Sequence, residues 1–127
     1  MPHVVLERVP DLDEVAHRLR DDRPVRWGRA VLRTEGCWRH AERPALLAEG
    51  VVVELARPLH PVALVAPRRE RLVVRLWPTV PVERTPAVQR WLTLVAAAAA
   101  TAGAGGVVTT NLPGELWRDL LEPAPGA

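Results

Sequence analysis

The sequence predicts a single α+β domain with a mainly antiparallel sheet, two principal helices packed on one face and a short carboxy-terminal helix. The chain has 127 residues, a length that fits one domain. Its patterns run in the order strand, helix, several strands, helix, strand and short helix, which is typical of α+β folds. We expect the domain to span residues 1–122, and residues 123–127 to form a frayed tail.

Local signals mark the first strand and the first helix. Residues 3–9 are rich in β-formers, and Pro10 ends them. Asp11 is a good helix N-cap, and Glu14 three residues later gives a capping-box pattern. Apolar residues then recur at helical spacing, which predicts an amphipathic helix over 11–20. They are Leu12, Val15, Ala16 and Leu19.

The middle of the chain predicts β-structure. Glu35-Gly36 separates the first two candidate strands, and a valine run in the third indicates a strand covered on both faces. The last two form a hairpin in which Leu72, Val74 and Leu76 share one face. The predicted strands are residues 25–34, 37–40, 45–55, 62–66 and 71–77.

The second helix begins with an equally clear signal. Thr85 is an N-cap, and Pro86 takes the first helical position. An apolar stripe predicts that the helix continues to residue 102, after which glycines end it. A strand over 107–110 and a short amphipathic helix over 113–121 follow.

Residues 91–114 carry no formal charge and are long enough for a membrane span. Because the stretch is mostly Ala, Thr and Gly, we expect a buried helix, a turn and a strand, and no membrane association.

The predicted core follows from these periodicities. We expect all five tryptophans to lie in the core, because Phe and Tyr are absent and Trp must supply the large aromatic volume. The other residues assigned to the core are Leu6, Leu12, Val15, Leu19, Val52, Leu64, Val74, Leu92 and Val95.

Missing residue types exclude several chemistries. The chain contains no Lys, Ser, Ile, Tyr or Phe. Without Lys there is no Schiff-base amine, no pyridoxal-phosphate anchor and no phosphate-loop lysine. Without Ser and Tyr there is neither a serine nucleophile nor a phenolic acid. We therefore expect no cofactor.

The single cysteine, Cys37, excludes an internal disulfide and fits a reducing compartment. Cys37 and His40 lack the second ligand pair that a zinc site needs, so we expect no metal. A structural cysteine is favoured over a catalytic thiol. The first residues lack the basic start and apolar core of a signal peptide, and we expect a cytoplasmic protein.

The basic residues carry one candidate binding site. All 17 are arginine, but the formal net charge is only +2, which is too small to indicate a nucleic-acid partner. Arg68, Arg69 and Arg71 crowd the tip of the predicted hairpin. Such a cluster is usually a solvated turn. The alternative is that it binds an acidic partner or a phosphate backbone, with Trp77 nearby to stack a base.

The amino terminus suggests a second site. The chain opens with Met1-Pro2-His3-Val4-Val5-Leu6-Glu7, which resembles the start of the 5-carboxymethyl-2-hydroxymuconate isomerase branch of the tautomerase superfamily. The resemblance implies an oligomer built from β-α-β units, in which Pro2, freed by removal of Met1, is the general base. A strand-borne arginine would bind the carboxylate of a small oxo-acid, and Arg29 and Arg33 are the candidates.

Three functions therefore stay open. The first is a non-catalytic binding or assembly module, which we favour. The second is a tautomerase-like isomerase with Pro2 as the catalytic residue and Arg29 or Arg33 as the substrate-binding residue. The third is an arginine-dependent binder of a small anionic ligand or a nucleic acid. Long apolar strands and an alanine-rich helix in a small chain also predict a homo-oligomer.

Overall fold

The computed structural model describes residues 1–21 and 23–126 and has an α+β fold built on a curled sheet of eight strands. The strand order is β2-β3-β4-β6-β7-β1-β8, with β5 beside β4, and neighbouring strands are antiparallel. The predicted α+β class with an antiparallel sheet and two principal helices is confirmed. The elements are β1 (His3–Leu6), α1 (Leu12–Arg20), β2 (Val25–Trp27), β3 (Ala30–Arg39), β4 (Leu46–Glu54), β5 (Arg57–Leu59), β6 (Val62–Arg68), β7 (Arg71–Leu76), α2 (Pro86–Ala99) and β8 (Val107–Thr110).

Both helices begin where the sequence predicts. The Asp11 side chain accepts a hydrogen bond from the Asp13 amide at 2.9 Å, and α1 follows it. Thr85 Oγ1 accepts from the Val88 amide at 3.1 Å, and Pro86 opens α2. Each cap satisfies an amide that has no partner within its helix. A π-helical turn over Ala100–Ala104 ends the second helix.

One hydrophobic core joins both helices to the sheet. Alternate residues of the strands, with apolar residues of α1 and α2, form a continuous buried cluster. Trp91 and Leu92 of α2 are completely buried in it. Most of the predicted core residues lie there. Leu64 points to the other side of the sheet and is partly exposed, because its neighbours Ala63 and Val65 take the core positions of β6.

The first half of the sheet differs from the predicted strands. The predicted strand 25–34 is two strands, β2 and β3, joined at Gly28 and Arg29. Gly28 adopts φ +59, a conformation that glycine reaches without strain. The predicted break at Glu35-Gly36 is a bulge, since β3 continues through it to Arg39.

The bulge determines which way Trp38 points. Thr34 pairs with Gly50 and Gly36 pairs with Glu49, so Glu35 is an extra residue without a partner position on β4. An extra residue moves every following side chain to the opposite face. Cys37 therefore faces the core, and Trp38 lies outside it and is 53% exposed. The prediction that all five tryptophans lie in the core is wrong for Trp38. It is also wrong for Trp77, which is partly exposed outside the core cluster.

The carboxy-terminal segment is not the helix predicted over 113–121. Only Gly114–Leu116 forms a 3₁₀ turn, followed by further turns. The Leu120 amide donates to the Trp117 carbonyl at 3.0 Å, whereas the Leu116 carbonyl accepts a hydrogen bond from Arg90 of α2 at 3.0 Å. Further on, the Ala124 amide donates to the Val107 carbonyl at 2.8 Å, so the chain is bound to β8 as far as residue 124.

The uncharged segment 91–114 forms the end of α2, the π-helical turn and β8, as its glycines predict. Within residues 1–21 and 23–126, no helix combines the length and the hydrophobicity needed to cross a membrane.

Candidate functional site

One side of the sheet faces away from the hydrophobic core, and none of its described side chains is fully buried. We call it the open face. Its side chains alternate with the buried ones along each strand and are partly or fully exposed. From β3 to β1, the open face consists of Val31, Arg33, Gly36 and Trp38; Leu47, Glu49, Val51 and Val53; Val62, Leu64, Ala66 and Arg68; Arg71, Val73 and Arg75; and His3 and Val5.

Four arginines converge at one end of this face. Arg68 and Arg71 lie directly opposite each other in the β6–β7 hairpin, and Arg69 occupies its turn with φ +58. Arg75 lies four residues beyond Arg71 on β7, directly opposite His3 of β1. We call Arg68, Arg69, Arg71 and Arg75 the arginine patch. With Met1, His3, Val5 and Val73, these arginines line a pocket of about 400 Å³.

The charges of the arginine patch are not paired with carboxylates in the described part of the chain. Over the same residues, none of the four guanidinium groups of the patch forms an ion pair or a hydrogen bond. Like charges directly opposite each other on neighbouring strands destabilise a sheet. A bound anion would remove that repulsion and take the hydrogen bonds that these guanidiniums offer.

Two tryptophans flank a groove next to the arginine patch. Trp38 of β3 and Trp77, which follows β7, line an apolar groove of about 260 Å³ whose floor includes Leu47 and Leu64. We call this the indole groove. Leu64 is the direct cross-strand partner of Arg75, so the groove and the arginine patch meet on β6 and β7.

The Trp38 indole lies over Gly36 on the open face. A β-carbon placed on Gly36 would lie 2.5 Å from the Cη2 atom of the ring. The missing side chain therefore lets the ring rest against the backbone, while half of Trp38 stays accessible. An aromatic ring held in this way offers a ready surface for stacking.

The residues of the tautomerase resemblance lie far apart in the sheet. Pro2 is buried, and its carbonyl accepts a hydrogen bond from the Leu76 amide at 3.3 Å. Met1 precedes it, and the Met1 carbonyl accepts from Asn111 Nδ2 at 2.8 Å. Arg29 is exposed in the β2–β3 turn, and Arg33 is exposed on β3. Strands β4, β6 and β7 separate β3 from β1, so the sheet does not bring these arginines beside Pro2. The catalytic role of Pro2 stays a prediction.

Cys37 and His40 take separate structural positions. Burial raises the pKa of the Cys37 thiol, and the charges of Arg20 and Arg39 oppose this shift without cancelling it. His40 Nδ1 accepts from the Glu42 and Arg43 amides at 3.0 and 2.9 Å, and so closes the turn after β3. The described residues contain no group of three or more His, Cys, Asp or Glu side chains placed to hold a metal ion.

Sequence reasoning found part of this site. Arg68, Arg69 and Arg71 stand together in the sequence, and Trp77 follows closely. His3 and Arg75 join them only through the β1–β7 pairing. Trp38 is predicted in the core because Trp must supply the large aromatic volume, and the bulge at Glu35 that places it outside has no clear sequence signal apart from the neighbouring Gly36.

No protein-family model matches this chain, and neither a curated protein nor a solved structure shows significant similarity to it. Its function is therefore inferred from the geometry and chemistry of the site.

Proposed function

We propose that this protein is a non-catalytic binding module that binds an anionic ligand on the open face of its sheet. The observation behind the proposal is the arginine patch: four guanidinium groups share one pocket, and no described carboxylate is paired with them. In this proposal both helices pack on the core face, and they leave the opposite face free for a ligand.

Arginine suits this role for two reasons. Its guanidinium stays charged at any physiological pH, and its planar fork of donors matches the oxygens of carboxylates and phosphates. Arg75 is held on a rigid support, because β7 pairs there with both β6 and β1, and Arg68 and Arg71 are held opposite each other by their own hairpin pairing. A ligand would therefore meet charges that need little reorganisation.

Binding of inorganic tripolyphosphate, followed by titration calorimetry, tests the proposal. We expect binding at about 50 mM salt that weakens markedly at about 200 mM, as counterion-linked binding does. The double variant Arg71→Ala/Arg75→Ala should bind at least about tenfold more weakly, since it loses two charge-assisted contacts.

The matched control removes the same charge elsewhere. Arg18 and Arg57 form ion pairs with Glu14 and Glu83, away from the patch. Arg18→Ala/Arg57→Ala should bind tripolyphosphate as the unchanged protein does. Equal weakening in both double variants would show that only net charge matters, and absence of binding at low salt would likewise contradict the proposal.

A further inference from the structure

The positive charge of the open face extends well beyond the arginine patch. The described open-face positions of the strands hold five arginines, Arg26, Arg33, Arg68, Arg71 and Arg75, against the carboxylate of Glu49 and that of Glu35, which is exposed at the bulge of β3. The net charge of +2 hides this separation, because most acidic residues lie in helices and loops elsewhere. From β3 to β1 the face crosses four strand spacings, or about 19 Å. A ligand that uses the whole face must carry several charges along its length.

The second requirement comes from the indole groove. Trp38 lies over Gly36 with half of its surface accessible, and Trp77 faces the same groove. Exposed aromatic rings on a positively charged sheet are suited to stack flat, unsaturated rings that alternate with negative charges. An acidic peptide would satisfy the arginines but would leave the indoles without a matching partner.

Only one common polyanion meets both requirements. In a nucleic-acid duplex the faces of the bases are stacked on each other and cannot reach Trp38 or Trp77. In a single strand the bases are free to stack on a protein's aromatic rings while the phosphates contact arginine. A second copy of this chain, placed symmetrically on the open face, would bring one arginine patch towards another positive surface.

We propose that the anion bound on the open face is a single-stranded nucleic acid, whose phosphates contact the arginine patch and whose bases stack on Trp38 and Trp77. This proposal rests on the proposed anion-binding function and adds the class of ligand. In this proposal the indole groove stacks the bases, a contact that a simple anion such as phosphate does not make.

Fluorescence anisotropy with a labelled oligothymidylate of about 12 nucleotides tests the proposal, because single-strand binding folds cover roughly 4–16 nucleotides. Trp38→Ala should weaken this binding by about 5- to 150-fold, the range that corresponds to one stacked base. Trp38→Phe should restore most of the loss. Leu55→Ala serves as the control, since Leu55 is an exposed apolar residue outside the groove.

Polyphosphate of matched charge separates the two proposals. We expect Trp38→Ala to leave polyphosphate binding unchanged. If Trp38→Ala weakens neither ligand, the nucleic-acid proposal is wrong and the anion-binding function stands. If the unchanged protein binds neither ligand at low salt, both are wrong.

Two further results would also overturn the nucleic-acid proposal. One is binding of the matching duplex as tightly as the single strand. The other is a stable dimer in sedimentation that Trp38→Ala dissociates, because a second copy would then occupy the open face.

Discussion

The Trp38 indole rests on Gly36, at a distance that leaves no room for a β-carbon between them. On the next strand, and on the opposite face of the sheet, Gly50 accommodates Trp91 in the same way. Trp38 is half exposed, whereas Trp91 is completely buried and donates a hydrogen bond from Nε1 to Thr34 Oγ1 at 3.2 Å. Each glycine thus leaves space for an indole ring, one at the surface and the other in the core.

This contrast predicts that the same substitution, Gly to Ala, has a large effect on stability at Gly50 and a small one at Gly36. Gly50→Ala forces a methyl group against an indole that has nowhere to move, and it should lower the free energy of unfolding by about 1–3 kcal/mol. Gly36→Ala should change it by less than about 1 kcal/mol, because the Trp38 ring can swing into solvent. Urea unfolding measures both. Acrylamide quenching of tryptophan fluorescence should rise for Gly36→Ala, and equal destabilisation by the two variants would contradict this account.

Arg90 makes the attachment of the carboxy-terminal segment sensitive to acid. Its guanidinium hydrogen-bonds both carboxylate oxygens of Asp119 at 2.7 and 2.9 Å and lowers the pKa of Asp119. Since the pKa is lower in the folded state, the stabilisation is complete above the unfolded value of about 3.9 and is lost as the pH falls through the folded value. We expect Asp119→Asn to lower Tm at pH 7, and this difference to shrink towards pH 3. Glu115→Gln, an exposed carboxylate in the same segment, should not change Tm at either pH.

Burial of Cys37 predicts slow thiol chemistry. Because burial raises the pKa of the Cys37 thiol, less thiolate is present at pH 8 than in an unfolded chain. Iodoacetamide should therefore alkylate native Cys37 several-fold more slowly than the urea-unfolded protein, as followed by mass spectrometry. A cysteine introduced at exposed Thr109 in a Cys37→Ala background should react equally fast in both states. Fast alkylation of native Cys37 would contradict the structural role.

The resemblance to the tautomerase superfamily makes a separate prediction. If Pro2 is a general base, Pro2→Ala should reduce turnover of a small oxo-acid by about 10²- to 10⁴-fold, the usual effect of losing such a group. Intact mass should then show that Met1 has been removed, since Met1 blocks the proline nitrogen. The catalytic role of Pro2 would be contradicted if Pro2→Ala were as active as the unchanged protein. It would also be contradicted if the unchanged protein retained Met1 and were inactive.

The sequence predicts those parts of the fold that local chemistry determines. Asp11, Thr85 and Pro86 mark their helices because a cap acts on amides two or three residues away. The β6–β7 hairpin is equally local. In contrast, the segment 113–121, which was expected to be a helix, forms a 3₁₀ turn and contacts Arg90, which lies 26 residues before the Leu116 carbonyl that it binds. No local pattern shows that a distant guanidinium will take this carbonyl.

The candidate site likewise contains residues that the local sequence predicts and one whose position depends on strand pairing. Arg68, Arg69 and Arg71 are close neighbours in the sequence, so the sequence alone predicts that they cluster. The orientation of Trp38 depends on one extra residue, Glu35, which reverses the inside–outside alternation for the rest of β3. Alternation alone assigns Trp38 to the core, and only the pairing of β3 with β4 shows otherwise.

The position of β1 in the sheet has a consequence for synthesis of the protein. β1 is made before all other elements, but its two neighbours are β7, at residues 72–75, and β8, at residues 107–110. During translation, both edges of β1 can be paired only after more than a hundred further residues have been synthesised. Such long-range pairing slows folding and exposes apolar strands to aggregation in the meantime. We therefore expect nascent chains that end before β8 to depend on chaperones, and ribosome-bound truncations after residue 84 and after residue 126 would measure this dependence.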